Sequence, residues 1–137
     1  MQPAKWRTIL QKSSGDPQAA LADLGLAETT AWSDEAAAAF PYKTARPFFE
    51  RIRPGDPHDP LLLQVLPVAA ENDPAPGYGL DPLQEQDCQP VPGVLRKYQG
   101  RALLLVTGAC AIHCRYCFRR HFPYADAIAS TGQWRTA

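Results

Sequence analysis

Proline is the residue that most restricts how this chain can fold. Eleven of its 14 prolines lie between Pro41 and Pro92. Long helices and central strands do not fit there, because proline lacks an amide donor and fixes its own φ angle. We therefore expect short helical turns joined by extended chain. With 137 residues and 45% hydrophobic content, the chain can form one small packed domain.

Five short helical segments are predicted before residue 67, because capping residues, glycine and proline mark their ends. They are residues 3–13, a segment from Asp16-Pro17 to Gly25, a segment from Ser33 to Phe40, Arg46–Ile52, and LLLQVL after Asp59-Pro60. Since each segment is short, the pattern indicates a helical and irregular arm rather than a helical bundle.

The pattern changes after residue 92. Residues 94–107, VLRKYQGRALLLVT, predict two strands around a Gln99-Gly100 turn. The second strand, ALLLVT, is an unbroken apolar run, which is typical of a strand buried on both faces of a parallel α/β sheet. One such strand cannot satisfy its own backbone hydrogen bonds. We therefore expect the chain to be cut off within a domain.

Charge is distributed unevenly along a chain whose formal net charge is zero. Residues 1–93 carry 7 basic and 13 acidic side chains, whereas residues 94–137 carry 7 and 1. One interpretation is that two surfaces of one fold neutralise each other. A second is a pocket for an anionic group such as a phosphate, a carboxylate or a negatively charged cluster. Nucleic acid is a weaker third interpretation, because no long basic stripe is present.

The sequence contains no recognisable targeting or membrane segment. MQPAKWRTIL lacks the apolar centre of a signal peptide, and no run reaches the ~18 apolar residues of a membrane span. We expect a cytoplasmic protein with neither membrane nor nucleic acid as a partner. In a reducing compartment, clustered cysteines indicate metal binding or catalysis rather than disulfides.

Three cysteines lie close together in CAIHCRYCFRRHF, residues 110–122: Cys110, Cys114 and Cys117. Thiolates bind zinc or iron–sulfur clusters. A structural zinc site needs a fourth ligand, which His113 or His121 could supply. However, the C-x₃-C-x₂-C spacing differs from the common paired zinc frameworks.

A four-iron cluster offers a different solution, because three thiolates leave one iron open for a small molecule. Cys88 is then interpreted as a small buried hydrophobe rather than a ligand. Basic neighbours would favour thiolates and offset the charge of the cluster; they are Arg115, Arg119 and Arg120. Aromatic neighbours, Tyr116 and Phe118, would limit water. Alternatively, these residues form a basic amphipathic turn with its aromatic rings in the core.

The motif CAIHCRYC resembles the C-x₃-C-x-aromatic-C motif of the radical S-adenosylmethionine enzymes. The stretch GVLRKYQGRALLLVTGACAIHCRYCFRRHFPY is similar to the lysine 2,3-aminomutase branch, as are GDPHDPLLLQVLP and GLDPLQEQDCQPVPGVL. The resemblance covers about residues 40–137. It implies that residues 1–92 are an N-terminal helical and proline-rich arm. Residues 93–137 would be the start of an incomplete radical SAM barrel of partial TIM type, an α/β fold.

The resemblance also implies an activity. Cys110, Cys114 and Cys117 would ligate a [4Fe–4S] cluster whose open iron holds S-adenosyl-L-methionine. Reduction would release a 5′-deoxyadenosyl radical, and L-lysine held on pyridoxal 5′-phosphate would become (R)-β-lysine. A separate β-lysine ligase would attach that product to elongation factor P. The alternatives are an aminomutase for another amino acid, such as glutamate, and a small iron–sulfur or zinc-binding module.

Four further positions match family positions. Lys97 and Tyr98 match a pair that contacts the phosphate of pyridoxal phosphate. Many relatives have arginine in place of Lys97, and lysine supplies the charge without a bidentate fork. Arg119 matches an arginine that grips the substrate carboxylate, and Tyr116 matches an aromatic residue beside the adenine.

Other family features lie outside the sequence. They are the glycine-rich strand end, the barrel lysine that anchors pyridoxal phosphate, and the acidic residues that bind the substrate's ε-amino group. No catalytic residue is therefore assigned within residues 1–137, and we expect the chain to be inactive by itself.

Overall fold

The computed structural model describes residues 5–28 and 30–127, and it divides into two units. Unit 1 takes its residues from Met1–Ala75 and Cys110–Cys117, and unit 2 takes them from Pro76–Ala109 and Phe118–Ala137. Each unit is described by itself. Each unit combines two separate stretches of sequence that pack together. The expected boundary between an arm, residues 1–92, and a barrel, residues 93–137, stays a prediction.

Unit 1 contains four short helices among its described residues. They are α1 Lys5–Gln11, α2 Pro17–Asp23, α3 Asp34–Ala39 and α4 Arg46–Phe49. The predicted start and stop residues of α2 are confirmed. The Asp16 carboxylate accepts hydrogen bonds from the amides of Gln18 at 2.9 Å and Ala19 at 3.1 Å. Gly25, with φ of +69°, follows the helix end, where the left-handed region favours glycine.

The start of α3 also follows the sequence, because the Ser33 hydroxyl accepts a hydrogen bond from the Ala36 amide at 3.1 Å. Helix α4 begins at Arg46 as predicted, but it ends at Phe49 rather than Ile52 and continues only as turns. The first predicted helix begins at Lys5 within the described residues, and residues 3 and 4 lie outside them.

Residues 60–65 form consecutive turns, so the prediction of a regular helix after Asp59-Pro60 was wrong. The predicted start is nevertheless present, because the buried Asp59 carboxylate accepts from the amides of Leu61 at 2.8 Å and Leu62 at 3.1 Å. The same carboxylate also binds Arg53 through the backbone amide and Nε. The backbone hydrogen bonds that follow have mixed spacing: Gln64 and Val65 donate three residues back, whereas Leu63 and Leu66 donate four residues back, so the segment is not a regular α-helix. A 3₁₀ helix, Ala69–Asn72, follows.

Leucine and isoleucine side chains from α2, the turns and the following segment form the main core of unit 1. Its buried members are Leu21, Leu24, Leu26, Ile52, Leu62 and Leu66. A second group contains Ala20, Tyr42 and Val65, and half-buried Ile112 packs against it. Ile112 lies between Cys110 and Cys114, so this core supports the segment that carries the cysteine motif.

Unit 2 contains a two-stranded antiparallel sheet, formed by β1 Val94–Leu95 and β2 Leu103–Leu104. The predicted strand pair around Gln99-Gly100 is confirmed, and Gly100 has φ of +72°. The expectation of a parallel strand buried on both faces was wrong for the described residues. Leu103 and Leu104 are 44% and 49% exposed, because β2 pairs there with β1 alone.

A small core supports this sheet and consists of Leu95, Leu105 and Phe122, with Tyr124 packed against it. Unit 2 also contains a 3₁₀ helix, Gln86–Cys88, and helix α5, Tyr124–Ala127. The mixed helix and strand content agrees with the predicted α/β class. Among the described residues, none of the helices has the length and apolar character needed to cross a membrane.

Replacing Asp16 with alanine is expected to lower the free energy of unfolding by about 1 kcal/mol, the usual contribution of an N-cap. The substitution leaves two amides at the start of α2 without their acceptor. Urea denaturation followed by circular dichroism measures the loss. Asp23→Ala is the matched control, because a carboxylate at the C-terminal end of a helix opposes its dipole. Equal losses in the two variants would contradict a capping role.

Candidate functional site

The three motif cysteines lie on one segment of unit 1, residues 110–117, named here the cysteine loop. All three are free thiols; Cys110 is exposed, and Cys114 and Cys117 are half-buried. A turn joins the last two, because the Cys117 amide donates to the Cys114 carbonyl at 2.9 Å. The Cys110 thiol donates to the Ile112 carbonyl at 3.0 Å.

The donor set of the cysteine loop fits a thiolate-bound metal centre, because free and partly accessible thiols can deprotonate and bind. Within residues 5–28 and 30–127, no three His, Cys, Asp or Glu side chains are gathered as they would be around a metal ion. Binding therefore requires the three thiols to converge.

Backbone contacts hold the cysteine loop to the rest of unit 1. A β-bridge joins Ile112 to Thr44, and the His113 amide donates to the Lys43 carbonyl at 2.9 Å. These contacts fix the first half of the loop on the segment that follows α3. The conformation of the cysteine loop therefore depends on the proline-rich arm as well as on the loop's own sequence.

The His113 ring stacks on Phe40, with 4.8 Å between ring centroids, and its Nδ1 lies 2.8 Å from the Pro41 carbonyl oxygen. This contact leaves Nε2 as the ring nitrogen that could bind a metal. His121, the other candidate, belongs to unit 2, where burial lowers the pKa of its ring below the ordinary value.

The second half of the loop is held mainly by side chains. The Tyr116 hydroxyl donates to the Gln64 side-chain oxygen at 3.0 Å, while the ring is 69% exposed. The neighbouring Cys114 and partial loss of hydration raise the pKa of Tyr116 above its ordinary value. The Arg115 amide donates to the Gln64 carbonyl at 2.8 Å. Gln64 therefore contacts two consecutive loop residues.

Arg115 is buried, and its guanidinium forms an ion pair with Glu71 at 2.7 Å. In unit 2, Arg119 forms a second, partly buried pair with Glu85, with both hydrogen bonds at 2.7 Å. Each pair joins a basic residue after position 94 to an acidic residue before it. These contacts favour the interpretation in which the two oppositely charged parts of the sequence neutralise each other.

Unit 2 contains a cavity of about 290 Å³ bordered by Lys97 and Tyr98. Leucines line it as well, together with Arg101 and Glu85. The Arg101 guanidinium lies 5.6 Å from the Tyr98 ring centroid, within cation–π range. The Lys97 ammonium donates to the Leu83 carbonyl. The cavity is therefore lined by two cations that both lie near the same aromatic ring.

Arg101 is a residue that sequence reasoning missed. The signal was present, because the Gln99-Gly100 turn brings the residue after it back beside the residue before it. Glu85 was missed as well, and it links this cavity to Arg119. Its hydrogen bonds raise the pKa of Arg119 above the ordinary value.

The structure therefore distributes the predicted site residues between the units. Unit 1 holds the three motif cysteines and Tyr116, while unit 2 holds the other predicted positions, Lys97, Tyr98 and Arg119. Cys88 also belongs to unit 2, where it is half-buried and its thiol donates to the Gln84 carbonyl at 3.2 Å.

Comparison with known proteins identifies the relatives of this chain. It is 41% identical to L-lysine 2,3-aminomutase of Haemophilus influenzae over 133 residues, which cover 96% of this chain and 39% of that protein. It is 53% identical to L-lysine 2,3-aminomutase of Escherichia coli over 98 residues, 72% of this chain and 28% of that protein. The chain is a relative of the lysine 2,3-aminomutases. The resemblance seen in the sequence is thus confirmed.

A third L-lysine 2,3-aminomutase, from Buchnera aphidicola, is 39% identical over 88% of this chain and 36% of its own length. The chain therefore spans less than two fifths of these curated lysine 2,3-aminomutases. No family model matches it. The Haemophilus match covers 96% of this chain, so similarity to the lysine 2,3-aminomutases also includes residues before position 40.

Proposed function

We propose that the cysteine loop binds a [4Fe–4S] cluster, and that the chain forms the N-terminal part of a radical SAM aminomutase converting L-lysine to (R)-β-lysine. The observation that carries the proposal is a set of three free thiols with C-x₃-C-x₂-C spacing. It occurs in a chain that is 41% identical to an L-lysine 2,3-aminomutase over nearly all of its length. In this proposal β2, which the cysteine loop follows in the chain, is the first strand of a partial barrel, and its parallel neighbours are expected outside residues 1–137.

Cys110, Cys114 and Cys117 would each hold one iron and leave the fourth iron for S-adenosyl-L-methionine. When bound, the cluster and S-adenosyl-L-methionine would supply a carbon radical able to remove hydrogen from the substrate, and pyridoxal 5′-phosphate would carry the substrate's amino group. The exposed ring of Tyr116, two residues after Cys114, is available for stacking on the adenine. Its hydroxyl bond to Gln64 fixes the ring's position.

The cavity of unit 2 is the proposed place for the phosphate of pyridoxal phosphate. Lys97 and Tyr98 border it, and Arg101 adds a second positive charge. A phosphate is well matched to such a site, because it accepts several charge-assisted hydrogen bonds. The lysine that anchors the pyridoxal ring is expected outside residues 1–137.

Arg119 would bind the substrate carboxylate through its planar guanidinium. In the structure its two donors are engaged by Glu85. A substrate carboxylate would therefore have to displace or share this partner. The exchange is feasible, because both partners are carboxylates with the same bidentate geometry.

The proposed product, (R)-β-lysine, would be attached to elongation factor P by a separate ligase in the cytoplasm. The chain spans 39% of the Haemophilus protein, and the pyridoxal anchor is expected in the remaining length. A polypeptide of residues 1–137 alone is therefore expected to form no β-lysine, although its cysteine loop can still bind a cluster.

Anaerobic reconstitution of the chain with ferrous iron and sulfide tests the proposal. We expect about four iron atoms per chain, as in a [4Fe–4S] cluster. We also expect the electron paramagnetic resonance signal of the reduced cluster to change when S-adenosyl-L-methionine is added. Preferential binding of zinc, or a signal indifferent to S-adenosyl-L-methionine, would favour a simple metal-binding module.

A further inference from the structure

We propose that Glu71 is a positioning residue for the cysteine loop. Its carboxylate holds the guanidinium of Arg115, and Arg115 lies between Cys114 and Tyr116 in the chain. The proposal rests on the proposed function, because it concerns how the ligands of that same loop are presented. Glu71 lies in the proline-rich arm and belongs to none of the motifs in the sequence.

The contact between the two side chains is close and enclosed. Arg115 Nε donates to the two Glu71 carboxylate oxygens at 2.9 and 3.1 Å, and Nη2 donates to one of them at 2.7 Å. The side chains are 6% and 11% exposed. Water therefore cannot take over the role of either partner without local opening of the structure.

The remaining guanidinium donors are also bound within unit 1. Nη1 donates to the Phe40 carbonyl at 2.6 Å, and Nη2 donates to the Ala36 carbonyl at 3.0 Å. The Phe40 carbonyl lies at the C-cap of α3, and the Ala36 carbonyl, in its last turn, also accepts from the Phe40 amide. The guanidinium also lies 5.2 Å from the Phe40 ring centroid. Arg115 thus fastens the loop to both α3 and the 3₁₀ helix Ala69–Asn72.

Glu71 is also held in place by contacts that do not involve Arg115. It lies in the 3₁₀ helix Ala69–Asn72, and its carboxylate also accepts a hydrogen bond from the Val68 amide at 3.0 Å. The acceptor geometry is therefore preorganised. Glu71 therefore differs from a carboxylate on the surface, whose side chain would change position together with its arginine partner.

Loss of the Glu71 charge should release the loop rather than merely weaken one contact. Removing one partner of a buried ion pair leaves the other charge uncompensated, which is strongly destabilising. Because Arg115 is next to Cys114, its movement toward water would carry the half-buried cysteines with it. The thiols would then be exposed and no longer presented in one arrangement.

The test compares thiol reactivity in the metal-free, reduced 137-residue chain, with and without Glu71→Gln. Each cysteine is followed separately by alkylation and mass spectrometry. We expect the labelling rates of Cys114 and Cys117 to rise at least about tenfold, as local opening becomes easier. Cys88, in unit 2, is the internal reference, and its rate should stay unchanged.

Glu50→Gln is the matched control. Glu50 forms an ion pair with Arg46 in unit 1, but the side chains are 56% and 73% exposed. Such a pair contributes little, so the labelling rates of all four cysteines should match those of the unmodified chain. Glu71→Asp is a second test variant, which keeps the charge but shortens the reach. Its Cys114 and Cys117 rates should rise less than those of Glu71→Gln.

Unchanged Cys114 and Cys117 rates in both Glu71 variants would overturn the proposal, and so would an equal rise at Cys88. Iron content after reconstitution distinguishes failure of the positioning role from failure of the proposed function. If the unmodified chain takes up no iron but Glu71→Gln still exposes Cys114, the proposed function fails and the positioning role stands. If iron loads normally and labelling is unchanged, the positioning role alone fails.

Discussion

Replacing Cys114 with serine is expected to abolish cluster binding by this chain. Serine is nearly the same size, but its hydroxyl does not deprotonate near neutral pH and is a poor ligand for iron. Iron content after anaerobic reconstitution should fall from about four atoms per chain to less than about one-tenth of that value. The visible absorption of the reconstituted protein should be lost with it.

Cys88→Ser is the matched control for this experiment, because it makes the same chemical change in the same chain. Cys88 lies in the other unit and its thiol is engaged by the Gln84 carbonyl. Iron content should therefore stay at the level of the unmodified chain. Loss of iron in Cys88→Ser would make Cys88 a fourth ligand, and retention of iron in Cys114→Ser would remove the cysteine loop from the ligand set.

The elements that the sequence predicted correctly are those whose causes are local. Asp16 caps α2 through amides two and three residues away, and Ser33 caps α3 in the same way. Gly25 ends α2 because it adopts a positive φ without steric cost. Each of these interactions involves residues that are neighbours in the sequence, so composition and spacing were sufficient to predict them.

The predictions that were wrong concern segments whose composition does not by itself decide their structure. Residues 60–65 have a helical apolar pattern and a capping Asp59, but their backbone hydrogen bonds mix three-residue and four-residue spacing and the segment forms turns. The run ALLLVT has the composition of a strand buried on both faces, yet β2 leaves Leu103 and Leu104 partly exposed. Burial of a strand depends on its neighbours, which its own composition cannot specify.

The residues of the candidate site also fall into those that the sequence predicted and those that it did not. The cysteines were found from their spacing alone, because a ligand motif is local. Glu71 and Glu85 lie 44 and 34 residues from the arginines that they bind. The charge asymmetry indicated that oppositely charged parts would meet, but it could not specify the pairs. The pairs are determined by the path of the proline-rich arm through the fold, which is known only from the structure.

Leu62→Ala is expected to lower the free energy of unfolding by about 2–5 kcal/mol, the range for truncating a buried leucine. Leu62 is 1% exposed and packs in the main core of unit 1. The adjacent Leu63 is 54% exposed, so Leu63→Ala should cost less than about 0.5 kcal/mol. Urea denaturation of the two variants measures both values, and similar losses would contradict the placement of these turns.

The same pair of variants tests whether the arm supports the cysteine loop. Gln64 follows directly in the chain and contacts the loop through the Arg115 amide and the Tyr116 hydroxyl. A cavity at Leu62 should loosen the turn that holds Gln64, because neighbouring atoms shift to fill part of the space. Cys114 should then be alkylated faster in Leu62→Ala than in Leu63→Ala, under conditions where both variants remain folded. Equal rates would mean that the loop is held without these turns, by the Arg115 side chain and the backbone contacts with Lys43 and Thr44.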